Sequence, residues 1–216
     1  MKKSLIALAF GTLALGMAEF TMMGILPYVA SDFGISISEA GHLISAYALG
    51  VCFGAPVLIL ARKKSLKHLL MALVSLIVVG NLCTSFAPNY WVMMIGRFVS
   101  GLPHGAYFGV ASIVASKLAD KGKSSEAVSI MIAGMTVANL FGVPLGTSLS
   151  HLVSWRTTFL FVGIWGVIVF YYIWRWVPVV EGLQDNGFKG QFRFLRHPAP
   201  WLILGATALG NGGVFC

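Results

Sequence analysis

"GRFVSGLPHGAYFG", residues Gly96 to Gly109, sets an arginine in an apolar run and follows it with a glycine at every fourth position. Arginine keeps its charge throughout the ordinary pH range. Within an apolar segment it needs a cavity or a partner to face. Glycines four apart fall on one helix face and let a neighbouring backbone approach closely. Arg97 starts such a face, and Gly101, Gly105 and Gly109 continue it. The stretch reads as a helix nested among other helices inside a bilayer.

The rest of the chain agrees with that reading. Of 216 residues, 57% are hydrophobic and 10% charged, and the mean hydropathy is +0.84. A soluble domain carries about 25% charged residues, so this surface is too apolar to face water. Apolar runs long enough to cross a bilayer lie at Ser4–Ala30, Gly41–Ala61, Leu66–Ala87, Tyr90–Ser116, Ala127–Leu149 and Trp155–Val177. A seventh starts at Trp201 and has run for sixteen residues at Cys216. Lipid offers no partners to backbone N–H and C=O groups, and these runs do not alternate as barrel strands do. The expected fold class is an all-α membrane protein. The expected domains are a six-helix bundle over 1–178, a cytoplasmic linker over 179–197 and the start of a seventh helix over 198–216.

The net charge of +8 is distributed by topology. Lys2 and Lys3 precede the first span; Arg62, Lys63, Lys64 and Lys67 fill the second connection; Lys117, Lys121 and Lys123 fill the fourth; Arg175, Lys189, Arg193 and Arg196 fill the sixth. Alternate connections are nearly free of basic residues, Arg156 being the exception. By the positive-inside rule the N-terminus and the basic connections are expected in the cytoplasm, and no nucleic-acid partner is needed to explain them. The opening "MKKSLIALAFGTLALGMAEF" has the outline of a cleavable leader. Its apolar stretch continues through "FTMMGILPYVA", so it is expected to stay as a first helix.

Three cysteines and five histidines stand apart from one another, without a metal-ligand or disulfide spacing. No phosphate-binding loop is present, and no cofactor is expected. An intramembrane hydrolase built on Ser100 and His104 lacks a nucleophile elbow and an acid partner.

Two ionisable residues lie deep in spans. Glu19 is about 15 Å and Arg97 about 10 Å from the outer ends of their helices at 1.5 Å per residue. At similar depth they are expected to pair, which lowers the cost of both. A carboxylate there suits proton exchange, because desolvation favours its neutral form and a nearby cation its ionised form. Asn139 and Thr136 in the fifth span and His104 in the fourth are candidates to line a substrate cavity. "FGAPV" at Phe53–Val57 is echoed by "FGVPL" at Phe141–Leu145, in spans of opposite direction, as an inverted three-plus-three repeat predicts.

These motifs resemble those of the major facilitator superfamily, and within it the arabinose-efflux-permease group of proton-coupled exporters. "RFVSGLPHG" is similar to the family's fourth-helix R-x-x-x-G motif, and "AGMTVANLFGVPLGT" to its fifth-helix antiporter motif. "SWRTTF", "LGMAEFTMMGILP" and "HPAPWLI" extend the likeness over the whole chain. The resemblance implies a bacterial inner-membrane exporter of sugars or other small molecules, with twelve helices in two six-helix halves. It assigns proton coupling to Arg97 and antiport packing to Gly142, Pro144 and Gly146. "GAPVLILARKKSLKH" keeps the basic residues of the family's motif after the second helix but lacks its Asp and second Gly. The chain corresponds to the first half, with a C-terminal half as an expected partner. A membrane-embedded assembly component without transport is the alternative.

Overall fold

The computed structural model describes residues 2–56, 64–182 and 197–212, and among them all regular structure is helical. The chain divides into two compact units, Met1–Gly182 and Leu183–Cys216. The first contains α1 (Lys2–Phe33), α2 (Ile37–Gly54), α3 (Leu66–Ser85), α4 (Tyr90–Leu118), α5 (Ser124–Val137), α6 (Val143–Leu152) and α7 (Trp155–Trp176). In the second, α8 runs over Pro198–Gly212. Among the described residues, five helical segments are long and apolar enough to cross a membrane: α1, α3, α4, Ser124–Leu152 and α7. The second expected span ends outside the described residues, and so does most of the expected linker.

Helix starts are fixed by side chains that cap free N–H groups. Ser36 and Glu39 form a reciprocal capping box at α2. Asn89 accepts from the Val92 N–H at α4, and Ser154 from the Arg156 N–H at α7. The fifth span is interrupted by a π turn, Ala138–Gly142. Pro144 has no N–H to offer the Leu140 carbonyl. The ladder slips by one residue there, and the Val143 N–H reaches the Ala138 carbonyl instead.

The core runs along α1. This helix packs against α2, α4, α7 and the fifth span, and is the most buried of the five apolar segments. Met22, Ile25 and Val29 meet Leu43, Met93, Trp155 and Phe159 in one cluster; Met17 and Ala18 meet Tyr47, Ala138 and Val162 in the next. Around this axis α2 and α3 both pack on α4, and α3 packs on α7. Outward-facing Leu140, Phe141, Phe161, Ile164 and Val167 are largely exposed, which suits surfaces turned toward hydrocarbon.

The glycine stripe of α4 seats α2. A Cβ built on Gly101 would overlap the Tyr47 carbonyl, and one on Gly50 would overlap the Phe98 carbonyl. Gly54 faces Leu102 and Gly105 faces Val51 in the same way. The two backbones touch because neither helix carries a side chain at the contact.

Both ends of the α1–α7 pair are tied. At one end the Ser4 hydroxyl donates to the Trp176 carbonyl at 2.8 Å. At the other, Arg156 pairs with Asp32, donates to the Ala87 carbonyl and lies 4.2 Å from the centre of the Trp155 ring. Arg156, the one basic residue at an otherwise basic-poor connection, thus has a local acid for its charge.

Candidate functional site

α4 carries Arg97 into the middle of the bundle, where it is fully buried. Its Nη1 donates to the Ala18 carbonyl of α1 at 2.6 Å, and Nε more weakly to the Leu43 carbonyl of α2 at 3.5 Å. The guanidinium lies 4.5 Å from the centre of the Tyr47 ring and 5.5 Å from that of Phe159. Two aromatic faces and two carbonyls therefore replace water around the charge. Nη2 is buried without a hydrogen-bond partner.

Glu19 projects from α1 next to Ala18, and its side chain keeps 20% of its exposure. The expected direct pair with Arg97 is not formed. The Ala18 carbonyl takes the guanidinium N–H, and the basic side chain beside the carboxylate is that of His104, whose Nδ1 lies 3.6 Å from Oε2. The two residues stand close together, but the contact runs from the Arg97 side chain to the backbone of Ala18, the neighbour of Glu19.

His104 sits two turns after Arg97 on α4. Its Nδ1 shares a hydrogen bond of 2.9 Å with the Tyr47 hydroxyl, and its ring stacks on Phe108 at 5.3 Å. The Tyr47 hydroxyl is also 3.5 Å from the Leu15 carbonyl. Glu19, His104, Tyr47 and Arg97 thus form one continuous polar seam between α1, α2 and α4. Chemically it offers a carboxylate with access to solvent, an imidazole able to give or take a proton, a hydroxyl that can relay one, and a fixed cation behind them.

Tyr47 was not among the residues singled out from sequence. The available signal was its hydroxyl in the middle of a span, since a buried tyrosine needs a hydrogen-bond partner. Its partner, a histidine fifty-seven positions away, is supplied only by packing.

The other sequence candidates lie elsewhere. Asn139 is in the π turn and Thr136 in α5; both are exposed and neither hydrogen-bonds to the seam. Gly142 and Gly146 are buried against α1, with Met17 and Thr21 where their Cβ atoms would stand, while Pro144 is exposed. Thr158 of α7 donates to the Gly146 carbonyl and shares a hydrogen bond with Ser150. Asn81 is buried and its amide donates to its own helix at the Ile77 carbonyl. Among the described residues no group of His, Cys, Asp and Glu side chains could hold a metal ion.

The family model described as Major Facilitator Superfamily matches residues 8–215. AraJ of Escherichia coli K12 is 51% identical over 216 residues, which cover 100% of this chain and 55% of AraJ. The inner membrane transport protein YdhP of the same strain is 37% identical over 212 residues, covering 98% of this chain and 54% of YdhP. A "Probable sugar efflux transporter" of Mannheimia succiniciproducens is 26% identical over 89% of this chain and 49% of its own length. The chain spans about half the length of the curated relatives it matches. Among solved structures, the peptide transporter POT in complex with sulfate has a TM-score of 0.71 at 14% identity, covering 97% of this chain and 47% of that one; the likeness is one of fold.

Proposed function

The chain belongs to the major facilitator superfamily, a family of multi-pass membrane transporters, and on that premise we propose that it is the N-terminal six-helix half of a proton-coupled exporter of sugars or other small molecules. Its place is the bacterial inner membrane, with the N-terminus and the basic connections in the cytoplasm. A second six-helix half completes the transport path.

The observation that carries this reading is the seam itself: a partly exposed carboxylate backed by a fully buried, permanently charged arginine. Glu19 takes up and releases the coupled proton. His104 beside its carboxylate, with Tyr47 behind it, relays the proton, and Arg97 keeps the local field positive in every state. Asn139 and Thr136 belong to the fifth span's contribution to the substrate cavity, and Gly142, Pro144 and Gly146 to the antiport packing against α1. The sugar-efflux name of a relative supports the substrate class.

The helix contacts support an inverted repeat. Exchanging spans one, two and three with four, five and six turns the pairings 1–5, 1–6 and 1–2 into 4–2, 4–3 and 4–5, each of which occurs in the bundle.

The test is reconstitution of the whole reading frame that contains these 216 residues into liposomes under an imposed inward proton gradient. Export of a panel of sugars should follow the gradient, and Glu19→Gln should cut the gradient-driven component at least about tenfold. Unchanged gradient dependence in Glu19→Gln removes the role from that carboxylate. No movement of any solute by the unaltered protein favours the assembly component instead.

A further inference from the structure

We propose that the seam between α1 and α7 binds one anionic phospholipid, its headgroup held by Lys2, Lys3 and Arg175 and an acyl chain running past Phe10 to the near end of a trough at Leu13 and Trp165. Two separate features support it. The first is a hollow of about 770 Å³ where α1 begins and α7 ends, lined by those three cations with Tyr171, Tyr172 and Trp176. Lys2, Lys3, Tyr171 and Arg175 are exposed, and no carboxylate among the described residues lines this hollow or pairs with its cations. Asp120 and Glu126 line a different hollow, which Lys2 lines as well. Trp176 stacks on Tyr172 at 4.1 Å, and its carbonyl accepts from Ser4. The floor is therefore rigid and aromatic, as suits the level of lipid headgroups. Basic pockets between membrane helices are apt sites for anionic headgroups.

The second feature is an apolar trough of about 420 Å³ farther from the cations, walled mostly by the fifth span, Phe141 and Leu145 included, and closed by Leu13 and Met17 of α1 and Phe161 and Trp165 of α7. Phe10 joins the two. Its ring lies 5.1 Å from Trp165, at the trough, and 6.0 Å from Tyr172, at the hollow. Trp165 and Tyr172 are seven residues apart on one face of α7. Lys3 and Leu13 are ten residues apart on α1, about 15 Å along the helix axis. That is the thickness of one hydrocarbon leaflet, half of about 30 Å. The near end of the trough therefore lies about one leaflet's depth from the cations, with the Phe10 ring between them. A headgroup site with an apolar recess at acyl-chain reach suits a phospholipid better than a free anion or a peptide.

The experiment is native mass spectrometry of the detergent-solubilised chain with equimolar phosphatidylglycerol and phosphatidylcholine. One phosphatidylglycerol should be retained in preference to phosphatidylcholine, and the preference should shrink as salt rises. The triple variant Lys2→Ala, Lys3→Ala, Arg175→Ala should lower the ratio of the two lipids at least about tenfold, from roughly fivefold for each cation near the headgroup. Lys121→Ala, with one cation removed elsewhere, should leave it unchanged. Leu13→Trp should displace both lipids by filling the trough. Inorganic phosphate at millimolar concentration should not compete. Equal retention of the two lipids by the unaltered chain at low salt overturns the proposal, and so does an unchanged ratio in the triple variant. Displacement by inorganic phosphate reduces the site to a simple anion pocket and equally overturns it. If the triple variant does not fold, the salt series and Leu13→Trp decide alone.

Discussion

Arg97 is held more by shape than by charge. Its guanidinium lies between the Tyr47 and Phe159 rings while its edge donates to two carbonyls on different helices. A lysine ammonium has no flat face to stack and no fork of N–H groups. Arg97→Lys is therefore expected to lose gradient-driven export at least about tenfold, even with the positive charge kept. It should also lower thermal stability, since a desolvated cation–π contact is worth about 2 kcal/mol. Transport assays and a melting curve in the same detergent check both halves; full activity with unchanged melting would show that charge alone suffices. That Glu19 and Arg97 come close was readable from residue counts, because helical rise is constant. Their failure to pair was not, because a backbone carbonyl leaves no mark in a sequence. Tyr47 and His104 show the same limit: each looks like an isolated polar residue until α2 is laid against α4.

At the level of helices, hydropathy located five of the six full spans expected, since a bilayer imposes both length and composition on whatever crosses it. The glycine spacing of α4 also read correctly for Gly101 and Gly105, which meet α2 where it carries Gly50 and Gly54. Gly101→Leu is expected to force these helices apart, at a cost of about 1–3 kcal/mol or more for overpacking a close contact. The measurable result is a lower melting temperature and poor recovery after extraction, whereas Gly41→Leu, where a Cβ meets open space, should behave as the unaltered chain does. Less legible was the effect of Pro144. A proline in a span announces a missing hydrogen bond, but whether the helix bends, breaks or takes up a π turn depends on what packs beside it. Here the slip at Ala138–Gly142 keeps Ala138 buried on α1, and it leaves Asn139 on the outer face of the span.

Across the bundle, the charge alternation that suggested a topology left Arg156 unexplained, and the structure resolves it through Asp32. The pair is partly exposed, at 35% and 43%, so its electrostatic contribution is modest. Its geometric role is larger, because Ser4 and Trp176 make a second tie at the opposite end of the same two helices. A rod tied to its neighbour at both tips is expected to move together with it. Any rearrangement that opens the interior to one side and then the other has to carry these two struts as a single beam. Spin labels at Ile6 and Ile168, in a chain freed of Cys52, Cys83 and Cys216, should keep one narrow distance distribution with and without a proton gradient. A distribution that broadens or splits would mean that the beam flexes.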